Sequence, residues 1–202
     1  MRQFDSTTLL VATHNAGKLE EFEQIMSPLG ITVTSAKAHD LPEPEETEDS
    51  FIGNARIKAH AAARATGLVA LADDSGLQVK ALDGAPGVYT ADWAETPQGR
   101  DFVMAMEKTH AKLMEADAPE PWEARFCCTL VLAWPDGHEE VFEGHAEGTL
   151  VWPRRGADGH GYDPMFQPKG ESRTFAEMTA KEKNARSHRG AAIKAMMQAC
   201  FS

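Results

Sequence analysis

The side chains best suited to chemistry fall in five short stretches. In "ADDSG", residues 72–76, Asp73 and Asp74 adjoin Ser75 and Gly76 just after an apolar run. Neighbouring carboxylates suit a hard divalent cation such as Mg²⁺, which takes oxygen ligands and shares them with substrate phosphates. In α/β sheets, ligands sit beyond the carboxyl ends of strands. The plainer alternative is a polar turn with aspartate as its cap. "HNAGK", residues 14–18, lies between an apolar run and a helical pattern. A helix N-terminus exposes backbone N–H groups and a partial positive charge, so it can hold an anion, and Lys18 adds charge. The spelling is not that of a P-loop: Ala12 stands where the first glycine belongs, and Leu19 follows the lysine. Ordinary capping by Asn15 accounts for the same letters.

Three further stretches are weaker when taken singly. Glu43, Glu45, Glu46, Glu48 and Asp49 lie within seven residues. Most acidic runs are solvated surface, and at most one or two of these could reach a metal. "KEKNARSHRG", 181–190, gathers Lys181, Lys183, Arg186, His188 and Arg189. Local positive charge in an acidic chain suggests an anion pocket. His188 and Arg189 fall in the first turn of a predicted helix, where the dipole disfavours cations unless an anion is bound. A solvated cationic helix face is the alternative. In "GHGYDP", 159–164, the glycines allow close backbone approach, and His160 and Tyr162 offer flat faces for a base. The eight histidines show no pair at zinc spacing. No G-x-S-x-G elbow supports a serine nucleophile.

The elements that must position these residues follow from periodicity. "TLLVAT" (8–13) and "ITVTS" (31–35) read as strands, with a helix between them from Gly17 that stops at Gly30. Residues 39–50, rich in acid and proline, read as loop. The alanine-rich segment 50–65 reads as helix, and "LVALAD" (68–73) as a strand ending at the aspartates. Residues 83–90 read as loop and 98–115 as helix. "RFCCTLVLAW" (125–134), a Pro-Asp-Gly turn and 138–150 form a predicted hairpin. A glycine-rich loop covers 154–163. Thr179 and Glu182 have capping-box spacing, and the last helix covers roughly 187–199. Strands alternate with helices and a hairpin follows, which predicts an α/β fold with a mixed sheet.

With 202 residues and 42% hydrophobic content, the chain can bury a real core, and a single domain over 1–202 is the natural expectation. No apolar run approaches the roughly 18 residues of a membrane span, and the start lacks the apolar stretch of a signal peptide. Cys127 and Cys128 are adjacent, so they would point to opposite faces of a strand, and Cys200 stands far from them. That is no disulfide framework, and a reducing cytoplasm fits. The net charge of -11 argues against non-specific nucleic-acid binding. A small phosphorylated ligand remains open, provided that a local cationic pocket or a metal receives it.

Taken in order, four stretches resemble one family. They are T-x-N-x-x-K-x-x-E from Thr13 to Glu21, "ADDSGL…LDGAPGVYTA" at 72–91, "GHGYDPMF" at 159–166 and "TFAEMTAKEKNARSHRG" at 174–190. Together, over nearly the whole chain, they resemble the inosine triphosphate pyrophosphatase family. The resemblance implies an elongated α/β fold with a mixed sheet and flanking helices, two lobes around a central substrate cleft, a homodimer and Mg²⁺. It implies hydrolysis of ITP, dITP and XTP to the monophosphate and pyrophosphate. The family's phosphate-binding turn matches Thr13, His14, Asn15, Ala16, Gly17 and Lys18 here. Its catalytic aspartate, also a metal position, matches Asp74, with Asp73 beside it. Its acidic metal residue falls at Glu46 or Glu45. Ser75 matches a substrate contact, and Lys58 is a further phosphate contact. His160, Gly161, Tyr162 and Asp163, with Lys183, His188 and Arg189, match base and phosphate contacts.

Two departures stand out. The family usually has Phe where this chain has His160, and an Arg and an aromatic where this chain reads Thr90, Ala91, Asp92 and Trp93. Histidine still stacks on a purine, less strongly and with a pH-dependent charge. On this reading, water attacks the α-phosphorus, and Asp74 serves as general base, metal ligand or both. Base selection reads the 6-keto edge and rejects the 6-amino group of adenine. Two alternatives are a pyrophosphatase for other modified nucleotides and a nucleotide-binding regulator without turnover.

Overall fold

The computed structural model of the chain describes residues 1–201. Along them run β1 (Thr8–Val11), α1 (Ala16–Met26), β2 (Thr32–Ser35), α2 (Phe51–Thr66) and β3 (Val69–Val79). Two-residue strands β4 (Glu95–Thr96) and β5 (Gly99–Arg100) precede α3 (Phe102–Glu115). The hairpin of β6 (Trp122–Ala133) and β7 (Glu139–Leu150) follows, then β8 (Phe166–Pro168), α4 (Ala180–Asn184) and α5 (His188–Cys200). Six strands form one sheet in the order β2-β1-β3-β6-β7-β8, and β4 and β5 form a separate ribbon. β1 runs parallel to β2 and β3, whereas β7 and β8 are antiparallel, so the sheet is mixed as predicted. Among the described residues no helix is long and apolar enough to cross a membrane.

The chain divides into two compact units. One comprises Met1–Asp74, Thr129–Glu143 and the chain from Ala192; the other comprises Ser75–Cys128 and Gly144–Ala191. In the first unit Asn15 caps α1 by accepting the Lys18 N–H at 3.1 Å. Gly30, in the left-handed region at φ 71°, closes the 3₁₀ turn that follows the helix. Ser50 caps α2, and Gly67 ends it. Ala55, Ala59, Ala62 and Ala63 of α2 pack on Leu10, Ala70, Ala72, Val131 and Ala133 of the strands. Methyl groups on the helix leave room for its backbone to lie close to the sheet, and alanine is the best helix former.

The second unit is built differently. Its core carries Phe126, Phe166 and Phe175, with Phe126 and Phe166 ring centroids 4.7 Å apart and Phe166 and Phe175 5.1 Å apart. Thr179 and Glu182 form the expected capping box at α4, and Thr174 and Glu177 form a second box with the same spelling one turn earlier.

Two predicted boundaries need correction. The strand expected to end at the aspartates runs on to Val79, so Asp73, Asp74 and Ser75 lie within β3 and not in a turn beyond it. The strand continues because β6 lies beside it and because Leu77 and Val79 are buried apolar positions. The helix predicted from residue 98 begins at Phe102, since Gly99 and Arg100 are taken by the ribbon and Asp101 caps the helix at 3.0 Å.

Candidate active site

In the first unit the register of the parallel strands builds the site. The β1–β3 pairing ends at Val11↔Leu71, and the Ala12 N–H reaches Leu71 O at 2.8 Å. Beyond that point β1 turns into α1, while β3 continues past the edge of the parallel pair. Asp73 therefore stands two residues past the last register partner, still at the carboxyl edge of the parallel strands. Lys18, in the first turn of α1, donates to both carboxylate oxygens of Asp73 at 2.9 and 2.7 Å. Thr13 Oγ1 accepts the Asn15 N–H at 3.1 Å and tightens the turn. His14, Asn15, Ala16 and Gly17 are exposed, and His14 Nδ1 lies 3.8 Å from Glu43.

A second lysine binds the acids together. Lys58 of α2 forms an ion pair with Glu46 and lies in the field of Asp74 and Asp73. Burial works against its charge, but the Glu46 bond and the two aspartates outweigh burial and hold the ammonium above its ordinary range. Asp73 and Asp74 are both buried. Glu45 is exposed. Of the two loop glutamates, Glu46 is thus the one joined electrostatically to the aspartates.

Among the described residues no three His, Cys, Asp or Glu side chains stand together at metal distance. The donor set nevertheless fits a hard divalent cation in kind. All its members are carboxylates, and Glu46, Asp73 and Asp74 already act on one cation, the Lys58 ammonium.

In the second unit Asp163 is the centre. Its buried carboxylate accepts the His160 N–H at 2.7 Å and forms an ion pair with Lys183. Gly159 permits this, because a Cβ there would meet Asp163 Oδ2 at 2.2 Å. Gly161, at φ 63°, turns the chain between His160 and Tyr162. His160 is exposed, so its ring is open to a base. Tyr162 is not: it is 1% exposed, packs edge-on to Phe102 and belongs to the core. Burial pushes its phenol up to about 12. The flat face predicted for Tyr162 is corrected accordingly, since the apolar surface of the ring is spent on packing.

Lys183 lies over the Phe175 ring, and His188 stacks on Phe126 at 4.9 Å. Arg189 follows in the first turn of α5, and Ser75 follows Asp74 along β3; both are partly buried. A cavity of about 630 Å³ opens beside Gly161, lined also by Phe102, Met106 and Arg154. No motif announces these lining residues, because the helix face and the loop that bring them there are far apart in sequence.

An α/β protein with buried aspartates at the carboxyl edge of its parallel pair, within reach of two lysines, belongs to the class that handles anionic ligands at a strand edge. More specifically, the chain belongs to the Ham1 family, whose model matches residues 9–199. It is 64% identical over 200 residues to the dITP/XTP pyrophosphatase of Ruegeria pomeroyi, covering 99% of this chain and 98% of that one. It is 56% identical to the dITP/XTP pyrophosphatase of Gluconobacter oxydans, covering 96% of this chain and 90% of that one. Among solved structures, a HAM1 protein from Coxiella burnetii superposes with a TM-score of 0.90 at 35% identity, over 96% of this chain and 98% of that one.

Proposed function

We propose that the chain is a nucleoside triphosphate pyrophosphatase. It hydrolyses purine triphosphates with non-standard bases, ITP, dITP and XTP, to the monophosphate and pyrophosphate. Relatives at 64% and 56% identity that are dITP/XTP pyrophosphatases support the substrate class. One observation carries the chemistry: Lys18 donates to both oxygens of the buried Asp73 while Lys58 pairs with Glu46, and the nearby charge of Asp74 and Asp73 favours the Lys58 ammonium. Two lysines and three carboxylates are thereby tied into one charge network, and the acids suit a cation as the lysines suit a phosphate chain.

Thr13, Asn15 and the first N–H groups of α1, with Lys18 and Lys58, hold phosphate oxygens. Asp74 accepts the proton of the water that attacks the α-phosphorus, and pyrophosphate leaves. A divalent cation, Mg²⁺, would be held by Asp74, Asp73 and Glu46, where it supplies charge neutralisation on the phosphate chain. His160 stacks on the base, and Asp163, Lys183, His188 and Arg189 complete the recognition of base and phosphate that the family resemblance implies. Ser75 and the backbone of Gly161 contribute further substrate contacts. Residues 1–202 act as one catalytic domain, and the enzyme works as a homodimer in the cytoplasm.

The test is pyrophosphate release from dITP, XTP, GTP, ATP and a modified pyrimidine triphosphate, with Mg²⁺ and with chelator. Preference for dITP and XTP that chelator abolishes is the expected result. Preference for the pyrimidine would move the substrate class, and no release from any triphosphate would leave a nucleotide-binding protein without turnover.

A further inference from the structure

Glu46 lies in a loop that carries five acids within seven residues and no regular structure of its own. Like charges repel, so something must hold this loop against α2 for Glu46 to meet Lys58. Two residues of α2 do so, and both lie in the first unit. Asn54 is only 2% exposed, and its side-chain oxygen accepts the Glu48 N–H at 3.0 Å. A buried polar side chain is costly unless it is hydrogen-bonded, and this bond is to the loop and not to the helix. Lys58 follows Asn54 by four residues and so projects from the same face of the helix. Asn54 and Lys58 therefore grip the loop at Glu48 and at Glu46.

Gly53 completes the fit. It is not in the left-handed region, so the backbone does not demand glycine there. Space does: a Cβ at residue 53 would lie 2.6 Å from Glu48 Cβ, 2.8 Å from its Cγ and 2.9 Å from Ser50 Oγ. Glu48 Cβ is the root of its side chain, and it can yield only if the loop backbone moves. Helix propensity would favour alanine at this position by roughly 1 kcal/mol, and the loop is what opposes it.

We propose that Gly53 and Asn54 are positioning residues that dock the acidic loop on α2, so that Glu46 stands at Lys58 and acts with Asp73 and Asp74. The role assigned to Glu46 rests on the reading given under Proposed function; the dock itself does not.

Three variants of the full chain test it: Asn54→Ala, Gly53→Ala and Asn54→Asp. Hydrogen exchange of the segment 43–50 is followed in metal-free protein, with Tm as a check on folding and with kcat and KM for dITP as the functional arm. Asn54→Ala and Gly53→Ala should speed exchange at the Glu48 amide by at least about fivefold, the worth of one intramolecular hydrogen bond. Asn54→Asp keeps the accepting oxygen but adds a like charge beside the loop, so protection should recover towards wild type at 1 M salt, where that repulsion is screened, whereas Asn54→Ala should not recover. Both alanine variants should also lower kcat/KM with Tm within about 4 °C of the wild type, the shift that about 1 kcal/mol gives a chain of this length. Wild-type exchange in both alanine variants would overturn the dock. Faster exchange with unchanged kcat and KM would overturn its service to the site. The exchange arm needs no turnover, so a wild-type protein inactive on every triphosphate would sink the functional reading and leave the dock to be judged by exchange alone.

Discussion

The two units solve opposite packing problems. Where α2 meets the sheet, the first packs small side chains, with four alanines of the helix set on β1, β3 and β6, and it gathers its charges beside that layer. The second has a core of rings, with Phe126, Phe166 and Phe175 in mutual contact and Tyr162 edge-on to Phe102, and it uses its buried aspartate to fold a loop. A helix that lies close to a sheet can bring lysine and carboxylate from different elements into reach. A cluster of rings needs volume and gives shape. Each unit is therefore vulnerable in a different way: the first in its charges, the second in its volume.

The largest effect should come from emptying the aromatic core. Phe175 is fully buried against Phe126 and Phe166. Phe175→Ala should destabilise the protein by about 3–5 kcal/mol, the usual cost of removing a buried ring. Urea unfolding measures it. A loss below about 1 kcal/mol would show that the ring cluster is not what supports the second unit.

Next in size is the charge of the first unit. Asp74→Asn keeps shape and removes charge. It should lower kcat at least about 100-fold, the lower range of a general-base contribution, while the urea midpoint stays near that of the wild type. Near wild-type turnover would remove Asp74 from the chemistry. If stability fell as steeply as in Phe175→Ala, the contrast between the units would collapse.

Lys18→Ala comes third. The residue holds Asp73 at 2.7 Å, and in the proposed reaction it holds phosphate oxygens. A hydrogen bond to a charged group contributes about 1.5–3 kcal/mol, so KM for dITP should rise about 10-fold or more. Unchanged kcat and KM would return the turn 13–18 to a simple helix cap.

How much of this was legible in the sequence divides along the same line. The caps at Asn15 and Thr179, the hairpin and the alanine helix follow from neighbours a few residues apart, and sequence shows them. Asp73 and Asp74 were readable as a pair, but their place inside β3 was not, because a strand's end depends on how long its neighbour β6 stays beside it. Lys18–Asp73 and Lys183–Asp163 join residues 55 and 20 positions apart, and spacing gives no hint of such pairings. Tyr162 looked available to a base because its motif is rich in glycine; Phe102, sixty residues earlier, buries it. The choice of Glu46 over Glu45 came only from the position of Lys58.

The smallest effect sharpens the comparison at the edge of the second unit. Glu182 is held by Arg173, with its carboxylate accepting from Nη2 at 3.0 Å, and by the backbone and side chain of Thr179. The guanidinium bond first, and then the two Thr179 bonds, push its carboxyl from 4.5 down to about 2. A depressed carboxylate favours the folded form above its ordinary value, and that contribution is lost as pH falls through the folded value. The stabilisation is therefore complete above about pH 4.5 and disappears between there and about pH 2. Because Glu182 is the capping-box partner of α4, acid should first loosen the helix that carries Lys183. NMR titration of the Glu182 carboxyl should give a midpoint near 2, and Glu182→Gln should flatten the fall in Tm across that window. The group is exposed and its ion pair is screened, so 1 M salt should weaken the effect. A midpoint at the ordinary carboxylate value, insensitive to salt, would mean that Arg173 does not hold Glu182 in solution. The capping box of α4 would then close without help from the guanidinium.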